Sequence, residues 1–300
     1  MLSGGLDSLL AVKVLREQGI ETTGLTFTGC FFGARKARQA AENLGIKLLV
    51  KNFSRSHLAL VKNPPHGYGK NMNPCIDCHA LMLKRAKKEM IRGGFDFVAT
   101  GEVFGQRPMS QNRQSLKTVE RESGLAGFLL RPLSAKLLEK TVPEKNGLVD
   151  REKLLSFEGR GRRPQFRLAE KYGIKSYANP AGGCLLTDPA FSGRLKDLLE
   201  KNPKAGPDEM ALLKFGRHLW QGEILFVVGR DHRENLALKK LAQKNDLLVE
   251  ARDFPGPTVL ARSQRGAKMK KETVADEIGK LLAKYGKKTR EKEVAIKWLG

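Results

Sequence analysis

Apolar positions in the first 140 residues alternate between short runs, typical of buried strands, and longer stretches with helical spacing. The short runs predict strands at 20–28, 46–53, 95–100 and 127–133. The helical spacing predicts helices at 9–16, 35–44 and 80–91. Alternation of strands and helices with short connections indicates a parallel sheet with crossover helices. Ligands of such α/β domains bind at the carboxyl ends of the strands.

The pattern changes near Pro203 and Gly206-Pro207, which interrupt the regular periodicity and mark a boundary. Beyond it, strands are predicted at 223–229, 246–251 and 258–261, and helices at 232–244 and 272–285. These elements predict a small α+β domain. The chain is therefore divided into an N-terminal domain at 1–140, a connecting basic and helical segment at 141–205, and a C-terminal domain at 206–300.

Charge and cysteine content narrow the class of protein. Lys and Arg number 55 against 32 Asp and Glu, a net charge of +23 with a pI near 10.0, and such a surface favours a polyanionic partner such as RNA. No apolar run reaches the roughly 18 residues of a membrane span, and the chain opens on a glycine-rich turn rather than a leader. Four cysteines are too few for a disulfide framework. We expect a cytoplasmic protein without a membrane partner.

A glycine-rich turn, Ser3-Gly4-Gly5-Leu6-Asp7-Ser8, precedes the first predicted helix. Glycines let backbone N–H groups converge on an anion, two serines add hydroxyl donors, and the helix directs its positive end to the same place. No Gly-Lys-Ser/Thr follows, so the turn is not a Walker loop. The ends of two predicted strands face the same crevice. The nucleotide-binding candidates are Ser3, Gly4, Gly5, Leu6, Asp7, Ser8, Thr28, Thr100 and Gly101.

The turn resembles the signature of the PP-loop ATPases, or N-type ATP pyrophosphatases. The resemblance implies a HUP-like adenine-nucleotide-binding fold, with ATP and Mg²⁺ used to adenylate a substrate and release pyrophosphate. It also implies a catalytic role for Asp7. The family has a full hydrophobic strand before the loop, whereas only Met1 and Leu2 precede it here.

Three cysteines form a second group of candidates. Cys75 and Cys78 stand in the sequence Asn-Pro-Cys-x-x-Cys at the start of a predicted helix, and Cys184 follows a glycine turn. A Cys-x-x-Cys pair serves as a redox dithiol, as half of a zinc site or in an iron–sulfur site. His79 and Cys184 offer the further ligands of a zinc site. Three cysteines would leave one iron of a [4Fe–4S] cluster open to hydrosulfide.

The cysteine pattern resembles tRNA thiolases of the PP-loop class, which include 2-thiouridylases and 4-thiouridine synthases. Some of them hold a [4Fe–4S] cluster with a Cys-x-x-Cys pair and one distant cysteine, and this implies such a cluster on Cys75, Cys78 and Cys184. The 2-thiouridylases use two distant cysteines and a persulfide without a metal, which leaves zinc or no metal as alternatives. The resemblance implies that Cys75, Cys78 and Cys184 are catalytic, with sulfide or a persulfide carrier as the sulfur donor. Zinc in place of the cluster would make these cysteines structural.

Basic residues outside these motifs are candidates for RNA binding. They are Arg107, Arg160, Arg162, Arg163, Lys270 and Lys271. The C-terminal region, with Gly229-Arg230, Glu234-Asn235 and the stretch 252–256, resembles the NFACT-R domain of ribosome quality-control proteins. It departs from that domain at 248–250, where the family has Trp-Leu-His, and at Thr258, near the place of a family histidine.

Together these features predict an ATP-dependent tRNA sulfurtransferase that adenylates a uridine carbonyl and replaces its oxygen with sulfur. Its partners would be tRNA, a sulfur donor and a second copy of the chain in a homodimer. One alternative is a PP-loop ligase or sulfur-inserting enzyme that acts on a small molecule. The other is a non-catalytic RNA-binding protein, which the intact loop disfavours.

Overall fold

The computed structural model describes residues 1–177, 183–264, 269–286 and 294–299. The chain forms two compact units, Met1–Thr187 and Asp188–Gly300. The predicted division at 140 and 205 stays a prediction. No helix in the described ranges is both long and apolar enough to cross a membrane.

The N-terminal unit is built on parallel strand pairs. Strand β1 (Gly24–Thr28) pairs with β2 (Leu48–Asn52), and β3 (Val98–Ala99) pairs with β4 (Leu129–Leu130). Residues 1 and 2 lie between the pairs, because the Leu2 N–H donates to the Leu25 carbonyl (2.8 Å) and the Met1 nitrogen to the Ala99 carbonyl (2.6 Å). Within each pair the strands run parallel and so end at the same edge, as predicted for an α/β domain.

Helices cover both faces of this sheet. They are α1 (Leu6–Arg16), α2 (Arg35–Leu44), α3 (Ser54–Lys62), α4 (Cys75–Gly93), α5 (Arg113–Ser123), α6 (Val142–Lys145) and α7 (Arg163–Lys171). On one face, α1 and α7 share a core with Leu130 and Leu154. On the other, α4 and α5 pack with Phe27 and Leu129. The predicted helix at 35–44 is confirmed, and α4 begins at Cys75, five residues before the predicted start at 80.

The C-terminal unit is an antiparallel sheet with helices on both faces. Its strands are β5 (Arg217–Gln221), β6 (Ile224–Val228), β7 (Leu247–Ala251), β8 (Val259–Ser263) and β9 (Ile296–Trp298), in the order β5-β6-β8-β7-β9. Its helices are α8 (Pro189–Lys201), α9 (Pro207–Leu212), α10 (His232–Leu241) and α11 (Lys271–Tyr285). Helix α11 packs on Phe226 and Val249, and α10 packs on Leu225 and Val227. This is the predicted α+β domain.

A histidine lies fully buried among aromatic rings below the end of β1. The His57 ring stacks on Phe53 at 4.7 Å and meets Phe31 and Phe32 at 5.5 and 5.4 Å. Neither ring nitrogen has a hydrogen-bond partner among the described residues. Burial lowers the pKa of His57 to about 4, because the cluster cannot solvate an imidazolium.

Substitution of His57 tests this arrangement. Between pH 6.5 and about 4 the unfolded chain binds a proton that buried His57 does not, so stability is lost as the pH falls. We expect His57→Phe to reduce the loss by on the order of 1 kcal/mol per pH unit. Urea unfolding at pH 7 and pH 5 measures it, with His232→Gln on the surface as the control. An unchanged pH dependence in His57→Phe would contradict the prediction.

Candidate active site

The glycine-rich turn forms a compact, hydrogen-bonded loop at the start of α1. The Gly5 N–H donates to Ser3 Oγ (3.2 Å), and the Ser8 hydroxyl donates to the Gly5 carbonyl (2.8 Å). Gly5 caps α1 in an extended conformation, with no side-chain hydrogen bond to the helix. The Ser8 N–H donates to the Gly5 carbonyl at 3.1 Å, so the N–H groups of Leu6 and Asp7 are the ones that the first turn offers to an anion.

Two glycines hold the loop in position through close backbone contacts. Gly4 has φ +80°, and a Cβ there would lie 2.4 Å from the Lys36 carbonyl oxygen at the start of α2. A Cβ on Gly101, after β3, would lie 2.5 Å from the Asp7 carbonyl oxygen and from the Ser8 nitrogen. A glycine is needed at both positions. Thr100 and Gly101 therefore lie against the loop, as expected from the topology.

Asp7 is held by side chains that come from distant parts of the chain. The Gln106 amide donates to Asp7 Oδ2 at 3.2 Å, and Arg162 NH2 lies 3.4 Å from both Asp7 carboxylate oxygens. Arg162 is nearly buried, with its side chain 15% exposed. The Gln165 amide in turn donates to Gln106 Oε1 at 3.4 Å. Arg162, a candidate for RNA binding, thus lies at the nucleotide loop.

The three candidate thiols lie in one region. Burial raises the pKa of the Cys78 thiol well above its usual range, and nearby Cys184 and Cys75 raise it further. Burial also raises the pKa of Cys184 to about 11, although the Leu186 N–H and the Arg107 guanidinium act to lower it. Each of the two thiols is therefore harder to ionise when a neighbouring thiol carries a charge. Cys30, two residues after the end of β1, is buried.

Hydrogen bonds fix both segments that carry the thiols. Asp77, buried between the two helical cysteines, accepts from the His66 ring (2.6 Å) and from the His66 N–H (3.1 Å). The Leu185 N–H donates to the Phe31 carbonyl at 3.0 Å, and the Asn71 amide donates to the Thr187 carbonyl at 2.8 Å. Residues 178–182, most of the glycine turn before Cys184, lie outside the described residues.

A buried ionic network, which sequence reasoning missed, connects the loop to the thiols. Glu102, directly after Gly101, accepts from Arg131 Nε, from the Thr100 hydroxyl and from His79 Nδ1, each at 3.0 Å. Burial would raise the pKa of Glu102, but Arg131 and His79 outweigh it and hold that pKa well below its usual range. The sequence offered one signal for this network: an acidic residue, Glu102, close after a predicted buried strand.

The positions of the three thiols limit which metal ion they could bind without rearrangement. Within the described residues, the one group of three ligand atoms within 4.8 Å of one another is His66, Asp77 and Glu122. The three sulfurs do not all lie within 4.8 Å of one another. A tetrahedral zinc site holds its sulfurs about 3.8 Å apart, given Zn–S bonds of about 2.3 Å, so the thiols are not arranged for zinc.

The remaining candidates for RNA binding are exposed. Arg107, Arg160 and Arg163 lie on the surface of the N-terminal unit. Lys270 caps α11, and the Lys271 ammonium lies 5.2 Å from the centre of the Trp298 ring. Thr28 ends β1, where its carbonyl accepts from the Phe53 N–H, and no described contact joins it to the loop. Roles for all of these residues stay predictions.

Family models match both parts of the chain. Residues 1–146 match the tRNA methyl transferase HUP domain, and residues 216–299 match the NFACT protein RNA binding domain. Both resemblances stated from the sequence are confirmed, and so is the fold class.

Curated relatives carry the name tRNA-specific 2-thiouridylase MnmA. One from Chloroflexus aggregans is 33% identical over 33% of each chain, and one from Marinobacter nauticus is 25% identical over 82% of this chain and 63% of its own length. The chain thus spans between one third and just under two thirds of these relatives. A solved structure, a predicted subunit of tRNA methyltransferase from Methanocaldococcus jannaschii, is 19% identical over 58% of this chain and 87% of its own. Its TM-score of 0.34 is too low to support an argument.

Substitution of Gly101 tests the contact between β3 and the loop. Gly101→Ala must displace the backbone at Asp7 and Ser8, so we expect a loss of at least about tenfold in ATP affinity, the equivalent of about 1.4 kcal/mol. Isothermal titration measures it. Gly33→Ala is the control, because a Cβ at Gly33 meets nothing within 4 Å. Equal affinities in the two variants would contradict the prediction.

Proposed function

We propose that this chain, with its HUP-family segment and its RNA-binding C-terminal segment, is an ATP-dependent tRNA sulfurtransferase. It would adenylate a uridine carbonyl and replace the oxygen with sulfur. The names of the relatives favour the C2 carbonyl. The C-terminal domain match and the net charge of +23 favour an RNA substrate over a small molecule.

One observation carries this proposal: a short series of contacts joins the phosphate loop to the thiols. Gly101 touches the loop at Asp7, and the next residue, Glu102, bonds His79, which follows Cys78 on α4. A base bound at this edge of the sheet would have an activating nucleotide on one side and sulfur on the other. Both half-reactions of thiolation need this proximity.

The first step is adenylation. The uridine oxygen attacks the α-phosphorus of ATP, the N3 proton passes to solvent, and pyrophosphate leaves. The loop N–H groups and the start of α1 would stabilise charge on the phosphates. Mg²⁺, for which Asp7 offers a carboxylate, would neutralise the departing pyrophosphate.

The second step transfers sulfur, and we propose a persulfide on Cys184 as its source. Burial raises the pKa of the Cys184 thiol to about 11, but Arg107 and the Leu186 N–H act in the opposite direction and would stabilise an anion at that sulfur. The terminal sulfur attacks the adenylated carbon, and a thiolate from Cys75 or Cys78 attacks the inner sulfur, which forms a disulfide. AMP then leaves and the C=S bond forms. A persulfide carrier supplies the sulfur, and a thiol reductant reduces the disulfide back to two thiols and is itself oxidised.

An iron–sulfur cluster also fits the donor set. Cys75, Cys78 and Cys184 would hold it, and it would supply an open iron as the binding site for hydrosulfide. The comparisons do not support this cluster. The relatives are named 2-thiouridylases, and the resemblance to that class implies a persulfide route without a metal. We therefore base the proposal on the thiols alone.

Thiolation of tRNA transcripts with ATP and a persulfide donor tests the function. We expect AMP, pyrophosphate and thiouridine to form together, the last detected by mass spectrometry of digested tRNA. Cys184→Ser removes the persulfide sulfur, so thiouridine should fall at least about a hundredfold, while pyrophosphate release continues. The buried Cys30 provides the control, Cys30→Ala, with thiouridine yield retained.

Two outcomes would replace the proposal by an alternative. AMP formation with small carbonyl compounds but not with tRNA would favour a ligase or a sulfur-inserting enzyme of small-molecule metabolism. RNA binding without any turnover of ATP to AMP would favour a non-catalytic RNA-binding protein.

Metal analysis tests the persulfide route separately. We expect protein purified without oxygen to contain neither iron nor acid-labile sulfide at stoichiometric levels, and to show a Cys184 persulfide by mass spectrometry after incubation with the donor. About four irons per chain, lost in Cys75→Ala, Cys78→Ala and Cys184→Ala, would overturn the persulfide route and establish the cluster.

A further inference from the structure

The contact between Arg162 and Asp7 places a cation at the mouth of the phosphate loop. Arg162 precedes α7 and Asp7 lies in the first turn of α1, 155 residues apart in sequence. The guanidinium meets the carboxylate through one nitrogen only, at 3.4 Å from each oxygen. That distance is long for a charge-assisted hydrogen bond, which is usually about 2.7–2.9 Å.

One donor of the Arg162 guanidinium has no acceptor within the described part of the chain. Arg162 Nε is buried and has no hydrogen-bond partner among the described residues. A buried donor without a partner costs about 1–3 kcal/mol. Phosphate oxygens would accept from Nε and a terminal nitrogen at once, the paired geometry for which a guanidinium is suited.

The side chain of Gln165 also has a buried polar atom without a described hydrogen-bond partner. Gln165, on the first turn of α7, is fully buried, and its Oε1 has no partner among the described residues. Its amide nitrogen donates to Gln106, which donates to Asp7. The start of α7 is therefore bonded to the loop through Asp7 from two directions, and both side chains keep unsatisfied polar atoms there.

The charge of Asp7 explains why this arrangement would change when a nucleotide binds. A carboxylate beside a phosphate is repulsive unless a cation lies between them. In this structure Arg162 is the cation at Asp7. A divalent metal that arrives with ATP prefers carboxylate oxygens, and it would compete with the guanidinium for Asp7.

We propose that Arg162 is a phosphate ligand of the bound nucleotide, which Asp7 holds in reserve until a divalent metal takes the carboxylate. This rests on the proposed function only in that the loop binds ATP. It assigns Arg162 to the nucleotide, in place of the RNA role expected from the sequence. The exchange also makes tight binding of ATP depend on the metal.

Nucleotide affinity, measured without tRNA or a sulfur donor, tests this proposal separately from thiolation. The probe is an ATP analogue with a methylene group between the α- and β-phosphorus atoms, titrated into the full chain with Mg²⁺ or with EDTA. With Mg²⁺, we expect Arg162→Ala to weaken binding at least about tenfold, the equivalent of about 1.4 kcal/mol. Arg162→Lys should recover part of it. Arg167→Ala, exposed on the same helix, should match the wild type.

The titrations in EDTA test whether Asp7 holds Arg162 away from the nucleotide when no metal is present. Asp7→Asn removes the charge that holds Arg162, so metal-free analogue should bind several-fold more tightly than to the wild type. The double variant Asp7→Asn/Arg162→Ala should lose that gain, since the gain depends on the guanidinium. Persistence of the gain in the double variant would overturn the proposal. So would an Arg162→Ala variant that binds the analogue normally but binds tRNA weakly.

Discussion

The buried ion pair between Glu102 and Arg131 is the interaction on which the N-terminal unit most depends. Both side chains are almost fully buried, and burial of each charge costs several kcal/mol unless partners surround it. Thr100, His79 and Glu120 complete that set, from the end of β3, from α4 and from α5. The network forms only when these elements are all in place. The end of β3 beside the glycine-rich loop and the helix that carries two thiols are therefore fixed by the same contacts.

The sequence predicted the elements whose signals are local. Helix α2 (Arg35–Leu44) has alanines and a leucine at buried positions and ends at Gly45 in the left-handed conformation, so both its spacing and its end are visible. The predicted strands of the N-terminal unit are right in place but too long, because only part of each predicted range pairs with a neighbour: Gly24–Thr28 of the range 20–28, for example. Helix α5 (Arg113–Ser123) was missed. Its apolar face consists of Leu116 and Val119 in a polar stretch, and its burial comes from packing on α4.

The candidate site also combines features that are visible in the sequence with features that only the fold brings together. The loop and the cysteine pair are short motifs, and their roles remain predictions that rest on spacing and resemblance. The partners that orient them come from far along the chain: Arg131 lies 29 residues from Glu102, and Arg162 lies 155 residues from Asp7. The hydrophobic periodicity of a sequence does not predict which residues pair over such distances along the chain. Arg162 was predicted to bind RNA because it lies in a basic, glycine-rich stretch. The fold, however, places its guanidinium beside Asp7.

The segment between the two family matches has a consequence for the evolution of such chains. The HUP match ends at residue 146, but the first compact unit continues to Thr187. The added stretch contributes Leu154 and Ala169 to the core around α1, and it carries both Arg162 and Cys184. A recombination event at residue 146 would deliver a nucleotide fold with an open hydrophobic face and an incomplete thiol set. A gene fusion that exchanges the C-terminal unit would have to join after Thr187 to keep this core and the three thiols in one unit.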